Sequence, residues 1–325
     1  MNIIYGVADA KRLGEENFFE EKALLARYKI ELQAFNCLTE DEMIRQMGNC
    51  SLIGVVSTPV TRRVMTGLSA LKGLFRYGIG VDNIDIPAAT ELGIPVCYQP
   101  RYCVEDVAGQ AFTMLLSLAR KVTLLDREIR NGNWSFKAGY PSHRLQEKTL
   151  GLAGFGNIAR RVAQMASVFD MEIITYDPYI PDELAASMGA RKVSFDELLE
   201  KSDFLSVHTP LTPDTRHLFS DAQFAKMKPG AFFINTSRGP VVDTEALIRA
   251  LQNGLICGAG LDVYENEPLA PDHPLCQMKQ VILTPHAGFY TEEAFQELRM
   301  SMAQQAADLI QGKRPQYIIN PEVLK

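Results

Sequence analysis

The chain has 325 residues, 46% of them hydrophobic and 22% charged, with a formal net charge of −6. That length exceeds one comfortable hydrophobic core and suits about two domains. The acidic balance argues against a nucleic-acid partner, and no run approaches the roughly 18 uninterrupted apolar residues that a membrane span needs.

The opening residues Met1-Asn2-Ile3-Ile4-Tyr5-Gly6 carry neither a basic leader nor a cleavage site of small residues, and read as a first strand. Short β-rich apolar runs then alternate with helical stretches, the pattern of α/β architecture with parallel sheets. Strands are predicted at Ile3–Val7, Leu52–Val56, Gly73–Tyr77 and Pro95–Cys97. One long helix is predicted from Val104 toward Arg130, where Asn131-Gly132 can end it. It is too apolar for a surface helix, so it is expected either between domains or in a subunit interface. From Thr149 a second α/β series begins, with strands at Leu150–Ala153, Glu172–Tyr176, Phe204–Val207, Ala231–Asn235, Ile256–Leu261 and Val281–Thr284. Ser194 and Glu197 fit a capping box for a helix over Phe195–Glu200. Asp243 is placed to cap a helix through Leu251, with Asn253-Gly254 ending it. A last helix is expected over about Glu292–Gln311, stopped by Gly312.

Six cysteines (Cys37, Cys50, Cys97, Cys103, Cys257, Cys276) form no C-x-x-C pair, so neither a metal site nor a redox dithiol is expected. They read as small, mostly buried thiols in a reducing compartment, the cytoplasm.

The sharpest local signal is Gly151-Leu152-Ala153-Gly154-Phe155-Gly156-Asn157-Ile158-Ala159, between a strand and a helix. Gly154 allows a tight turn, Gly156 lets backbone approach a pyrophosphate, and Ala159 stands where a third glycine would pack helix on strand. The N–H groups of the helix start, at Asn157 and Ile158, can face the phosphates. Asp177 follows Gly156 by 21 residues, at the end of the next strand, where a carboxylate accepts from an adenosine ribose. No Arg or Lys lies between Asp177 and Arg191 to neutralise a 2′-phosphate, so the expected cofactor is NAD.

Further along stand Val207-His208-Thr209-Pro210-Leu211-Thr212, Asn235-Thr236-Ser237-Arg238-Gly239, Leu261-Asp262-Val263-Tyr264-Glu265-Asn266-Glu267-Pro268 and Thr284-Pro285-His286-Ala287-Gly288. With Gly78-Ile79-Gly80-Val81-Asp82-Asn83-Ile84-Asp85, Asn131-Gly132-Asn133-Trp134 and Lys228-Pro229-Gly230, these closely resemble the D-isomer-specific 2-hydroxyacid dehydrogenases. The resemblance implies two Rossmann-like or flavodoxin-like domains, the cofactor domain inserted into a discontinuous substrate domain. That places a substrate-binding domain at 1–98 and 289–325 and an NAD-binding domain at 99–288. It implies catalytic roles for Arg238, Glu267 and His286. It also implies cofactor contacts from Thr209, Pro210, Thr236, Ser237, Asp262 and Gly288, besides Arg238 and His286 themselves. Backbone N–H groups of Ile79 and Gly80 would meet the substrate carboxylate, unless Gly78-Ile79-Gly80 is simply a strand-to-loop turn. A homodimer is the family expectation.

The chemistry supports the three catalytic residues independently. A guanidinium fork can hold a 2-oxo acid's carboxylate while polarising its carbonyl. A histidine can supply the proton that a C2 alkoxide needs, and a nearby carboxylate favours its charged form and orients its ring. His208 and Glu265 are the rival histidine and acid; His143, His217 and His273 read as solvated or capping. Arg62 and Arg63 could face a phosphate or carboxylate tail, or could be a solvated pair.

Against the resemblance, Tyr98-Gln99-Pro100 replaces an Asn-x-Pro, Val104 a hydroxyl residue, and Gly109-Gln110 a more polar pair. Alternatives to a dehydrogenase of this class are an NAD(H)-binding corepressor-like scaffold, a short D-3-phosphoglycerate dehydrogenase and formate dehydrogenase. The last fits less well, because Glu267 would there be a glutamine.

Overall fold

The computed structural model describes residues 3–14 and 18–324, so Met1, Asn2 and Lys325 of the readings above lie outside the described residues. The chain divides into two compact units, one of Met1–Tyr102 with Thr291–Lys325 and one of Cys103–Tyr290.

The first unit starts with β1 (Ile3–Val7), α1 (Phe19–Ala26), β2 (Ile30–Ala34), α2 (Glu40–Gln46), β3 (Leu52–Val55), α3 (Arg62–Gly67), β4 (Gly73–Arg76), α4 (Ile86–Glu91) and β5 (Val96–Cys97). Its five strands lie parallel in the order β2-β1-β3-β4-β5. β3 is buried along its whole length, as expected of a strand covered on both faces. β2 was not foreseen, because Glu31 and Gln33 interrupt its apolar run, which an edge strand tolerates. Just past β1, the buried Asp9 accepts from the N–H groups of Val56 (2.8 Å), Ser57 (2.8 Å) and Thr58 (3.0 Å), and from the Thr58 hydroxyl (3.0 Å). Asn83 Nδ2 donates to the Thr58 carbonyl (3.0 Å), so the loop after β3 also holds the loop after β4. Arg62 and Arg63 open α3 and pair on the surface, Arg62 with Glu91 and Arg63 with Glu40 and Asp41.

The second unit runs α5 (Val104–Arg120), α6 (Val122–Arg130), β6 (Thr149–Ala153), α7 (Asn157–Ser167), β7 (Glu172–Tyr176), α8 (Asp182–Ser187), β8 (Arg191–Lys192) and α9 (Phe195–Lys201). It continues with β9 (Phe204–Val207), α10 (Asp221–Lys226), β10 (Phe232–Asn235), α11 (Thr244–Gln252), β11 (Gly258–Leu261), α12 (Pro274–Gln277) and β12 (Val281–Leu283). All seven strands are parallel, in the order β12-β11-β10-β9-β6-β7-β8, so the winding reverses between β6 and β9. One apolar cluster joins α9, α10 and α11 to the sheet, and another joins α5 and α7.

Two expectations for this unit need correction. The single helix over Val104–Arg130 is broken at Lys121, whose left-handed φ of 57° ends α5 and starts α6. The apolar pattern passes through that break unmarked, because the breaker is a lysine instead of a glycine. The Lys121 Nζ lies 4.7 Å from the Phe232 ring centroid, and burial lowers its pKa. The apolar face of α5 is also explained inside this unit, since Ala108, Ala111, Phe112, Met114, Leu115 and Leu118 pack with α7, β10 and β11. The capping box at Ser194 is half formed: Ser194 accepts from the Glu197 N–H, while the Glu197 carboxylate turns to Arg191. Asp243 caps α11 through the Ala246 N–H, as expected.

The chain then returns to the first unit through α13 (Glu292–Ile310). Arg299 forks onto the fully buried Glu21 of α1, with Nη2 to Oε2 at 2.6 Å, and lies 5.4 Å and 5.6 Å from the rings of Phe18 and Phe295. Asn320 beyond it accepts from Val96 N–H and donates to the Ile94 carbonyl, both at 2.9 Å, fastening the chain end to β5. Among the described residues, no helix is long and apolar enough to cross a membrane.

Breaking the buried pair leaves a charge without its partner, which costs about 3–5 kcal/mol. Arg299→Ala is therefore expected to lower the unfolding free energy of the first unit by that amount, read from urea titrations, and a change below about 1 kcal/mol would show the pair to be dispensable.

Candidate active site

The glycine-rich turn sits where the sheet's winding reverses, at the carboxyl ends of β6 and β9, the position at which open α/β sheets bind ligands. Gly154 has φ 89°, and a Cβ there would fall 2.9 Å from the His208 carbonyl oxygen, so glycine is required on both counts. Gly156 is the N-cap of α7, and a Cβ there would meet nothing within 4 Å. Asn157 and Ile158 open α7, and the fully buried Ala159 seats its first turn. The Asp177 carboxylate accepts from the N–H groups of Phe155 (2.8 Å) and Tyr179 (2.9 Å), which orients it beside the turn. Thr209, after β9, and Thr236, after β10, each hold a buried hydroxyl oxygen without a hydrogen-bond partner. Pro210 is exposed, and its carbonyl accepts from the Thr215 hydroxyl at 2.6 Å.

The segment after β10 is shaped by the buried Asn235. Its Oδ1 accepts from Ser237 N–H (3.0 Å) and hydroxyl (2.8 Å), and its Nδ2 donates to the Arg238 carbonyl (3.0 Å). Asn235 was not among the predicted site residues. An Asx-type turn at a strand end was the available signal. After β11, the buried Asp262 accepts from the Thr284 hydroxyl, from Ala287 N–H (2.9 Å) and from Gly288 N–H (2.9 Å). Gln110 of α5, one of the departures noted above, donates to the Thr284 hydroxyl at 3.2 Å. With that oxygen accepting from Gln110, the Thr284 proton is directed to Asp262.

These bonds hold the 284–288 turn, in which His286 takes a left-handed φ of 53°. Its Nδ1 lies 2.8 Å from Glu267 Oε2, while Glu267 Oε1 accepts from Tyr264 N–H at 3.0 Å. Burial opposes ionisation of Glu267. The hydrogen bond and charge of His286, the Tyr264 N–H and the Arg238 charge outweigh it, so the carboxyl titrates below the ordinary carboxylate value. Glu267 is thus ionised at neutral pH and the shared proton sits on the ring, whose Nδ1–H donates. Arg238, Glu267 and His286 all belong to this unit, and the Arg238 charge reaches Glu267.

The rival residues have other partners. His208 Nε2 meets the Ser206 hydroxyl at 2.9 Å, and burial pushes its pKa down to about 4, so it is neutral at pH 7 and a poor proton donor. Glu265 is bound to His217 (2.6 Å) and to Thr244 N–H at the start of α11 (2.8 Å). His217 therefore has an ionic partner beyond the solvated or capping role expected of it. His273 caps α12 through Leu275 N–H, and His143 is exposed. In the first unit, Gly78 turns with φ 144°, its N–H bonded to the Arg76 carbonyl (2.9 Å), and Ile79 and Gly80 follow half-buried.

An open helix start, an oriented carboxylate and two unsatisfied hydroxyls suit a dinucleotide, and the histidine–carboxylate pair beside them suits proton transfer. The class so defined is a nicotinamide-dependent oxidoreductase. The family profile described as "D-isomer specific 2-hydroxyacid dehydrogenase, NAD binding domain" matches residues 112–288. A glyoxylate reductase of Korarchaeum cryptofilum is 37% identical over 87% of this chain and 86% of its own. A D-3-phosphoglycerate dehydrogenase of Methanocaldococcus jannaschii is 39% identical over 89% of this chain, which spans only 55% of that relative. The D-lactate dehydrogenase of Aquifex aeolicus, solved with NAD and lactic acid, superposes with a TM-score of 0.88 at 28% identity, covering 98% of this chain and 99% of that one. The chain belongs to the D-isomer-specific 2-hydroxyacid dehydrogenase family, and its cofactor is NAD.

Because a methyl at Gly156 meets no protein atom, Gly156→Ala is expected to leave the melting temperature nearly unchanged while weakening NADH binding at least about tenfold. Gly154→Ala, strained by its positive φ, should instead lose about 1–3 kcal/mol of stability. Calorimetric titration and thermal melts separate the two, and equal effects on both readouts would refute the division of roles.

Proposed function

We propose that Arg238, Glu267 and His286 carry out reversible reduction of a small 2-oxo acid to the D-2-hydroxy acid, with glyoxylate or hydroxypyruvate as the first candidates. The observation carrying this reading is the 2.8 Å hydrogen bond between His286 Nδ1 and an ionised Glu267. NAD, when bound, supplies or accepts the hydride at C2. Gly154, Gly156, Asn157 and Ile158 would hold its pyrophosphate, and Asp177 its adenosine ribose. Thr209 and Pro210 would line the adenosine end, with Thr236, Ser237, Asp262 and Gly288 along the nicotinamide half.

Arg238 holds the substrate carboxylate and polarises the neighbouring carbonyl, and its planar fork matches both oxygens. Ile79 and Gly80 are proposed to add backbone N–H donors to the carboxylate. With Nδ1–H committed to Glu267, His286 is left with Nε2 to hand a proton to the oxygen on C2 and to take it back in the reverse direction. Glu267 stabilises the charged ring and keeps its orientation.

A small substrate is favoured over a phosphorylated one by the surface pairing of Arg62 and Arg63, which engages both cations with Glu91, Glu40 and Asp41. Relatives named glyoxylate reductase point the same way. A homodimer through the second unit is supported by large apolar side chains left exposed on α6 and just after it: Val122 (55%), Ile129 (49%), Trp134 (89%), Phe136 (79%) and Tyr140 (79%). A cytoplasmic location fits six cysteines that form no disulfide with one another, Cys257 and Cys276 being exposed.

An NADH-oxidation panel of 2-oxo acids, phosphorylated ones included, tests the substrate class. Glyoxylate or hydroxypyruvate is expected to exceed phosphohydroxypyruvate in kcat/KM, and the opposite ranking would reject the small-substrate reading. His286→Ala should lower kcat by about 100-fold or more with NADH affinity kept, since general acid–base catalysis contributes about that much. Equal loss of turnover and NADH affinity would remove His286 from proton transfer. For assembly, Trp134→Glu with Phe136→Glu should convert a dimer to a monomer in sedimentation, and an unaltered protein that is already monomeric would refute the interface.

A further inference from the structure

Beside the pair Glu267–His286 lies a second histidine–carboxylate pair, Glu265–His217, joined at 2.6 Å. The two acids are separated by a single residue, yet they face different partners. Glu265 spends its other oxygen, Oε2, on the Thr244 N–H (2.8 Å), at the first position of α11, where no intrahelical acceptor exists. A carboxylate also suits the positive end of a helix. His217 is anchored in turn, its N–H bonding the Pro240 carbonyl at 2.9 Å.

Both ends of this clamp therefore rest on the segment that follows Arg238. Within the same segment, Gly239 lies hard against the 264–265 peptide. A Cβ there would come 1.9 Å from the Tyr264 carbonyl carbon and oxygen and 2.5 Å from the Glu265 nitrogen. The Tyr264 N–H, one residue before Glu265, is the donor that holds Glu267 Oε1 (3.0 Å). Movement of Tyr264 and Glu265 would thus carry the Glu267 carboxylate with it.

We propose that Glu265, held by His217 and the N-terminus of α11, is a positioning residue that presses Tyr264 and Glu265 onto Gly239 and so sets Glu267 against His286. This inference rests on the catalytic reading of Glu267 above. Glu265 contacts His217 and the Thr244 N–H, and acts on Glu267 through the Tyr264 N–H. Conversely, the Tyr264 hydroxyl, bonded to the carbonyls of Leu261 (3.1 Å) and Thr284 (2.9 Å), pins the other side of the loop to the 284–288 turn. The loop is pinned on that side by hydroxyl bonds and on this one by a histidine–carboxylate hydrogen bond.

The test compares Glu265→Ala, Glu265→Gln and His217→Ala with the unaltered protein, all saturated with NADH. One readout is steady-state reduction of glyoxylate. The other is the 13C carboxylate titration of Glu267 by NMR, assigned by its loss in Glu267→Gln, which needs no substrate. Glu265→Ala is expected to lower kcat/KM at least about tenfold, because a displacement near 1 Å is enough to do so. The NADH dissociation constant should stay within about twofold. The Glu267 midpoint should rise toward that of free glutamate, since loss of the Tyr264 bond removes one cause of its depression. Glu265→Gln should recover most of both readouts, because an amide can accept from Thr244 N–H and donate to His217. His217→Ala keeps the Thr244 bond and should shift both partway, which serves as the test if Glu265→Ala does not fold. An unmoved Glu267 midpoint in Glu265→Ala, or in His217→Ala where the former is unfolded, overturns the clamp whatever happens to turnover. An unaltered protein that reduces no 2-oxo acid, with the midpoint still shifted by Glu265→Ala, overturns the catalytic reading and leaves the clamp standing.

Discussion

The Asp262 carboxylate is the interaction on which the arrangement of the second unit's site depends. It is 2% exposed and receives three donors from the 284–288 turn: the Thr284 hydroxyl and the N–H groups of Ala287 and Gly288. Its own backbone bonds Asn235 on one side and His286 on the other, so three strand ends meet at one residue. A left-handed histidine costs about 1–2 kcal/mol, and a turn fastened this often can carry that cost. The turn so held aims the ring at Glu267. Gln110 adds to this by fixing which way the Thr284 proton points.

Charge is distributed around that point so that each carboxylate has one task. Asp177 orients at the glycine turn, Asp262 holds a loop, Glu265 caps α11, and Glu267 faces the histidine. Burial alone would push Glu265 and Glu267 toward neutrality. For each acid, N–H donors and a histidine outweigh that penalty and keep it charged. Acid attack on the site should therefore begin only below the ordinary carboxylate range, where Glu267 takes up a proton and releases His286.

The two units use the same parallel-sheet design to opposite ends at their points of reversal. In the first, Asp9 reaches across from β1 and consumes the N–H groups of Val56, Ser57 and Thr58. In the second, the glycine turn between β6 and α7 leaves the helix N-terminus open. One crevice is closed by the chain's own carboxylate, and the other is left open at the helix start. Related topology thus produces a self-closed turn in one unit and an open helix start in the other.

Sequence by itself determined the alternation of strands and helices, the glycine turn and the acid at Asp177 one strand later. Each of these is written in local spacing: a two-residue or 3.6-residue period, a glycine where backbone must turn, a carboxylate one strand later. Local spacing was silent on the edge strands β2 and β8, whose polar residues hide them, and on the break at Lys121, where a lysine does what glycine usually does. It also did not specify that α5 covers a sheet of its own unit, because an apolar helix reads alike on any apolar surface. The choice between Glu265 and Glu267, and between His208 and His286, rested in the sequence on resemblance. The tertiary structure gives each acid its own histidine, through partners 19 to 48 residues apart in the chain. Which acid meets a helix start, which histidine is half-buried and neutral, and which pair shares a proton are decided by contacts between strand ends, and no local pattern contains them.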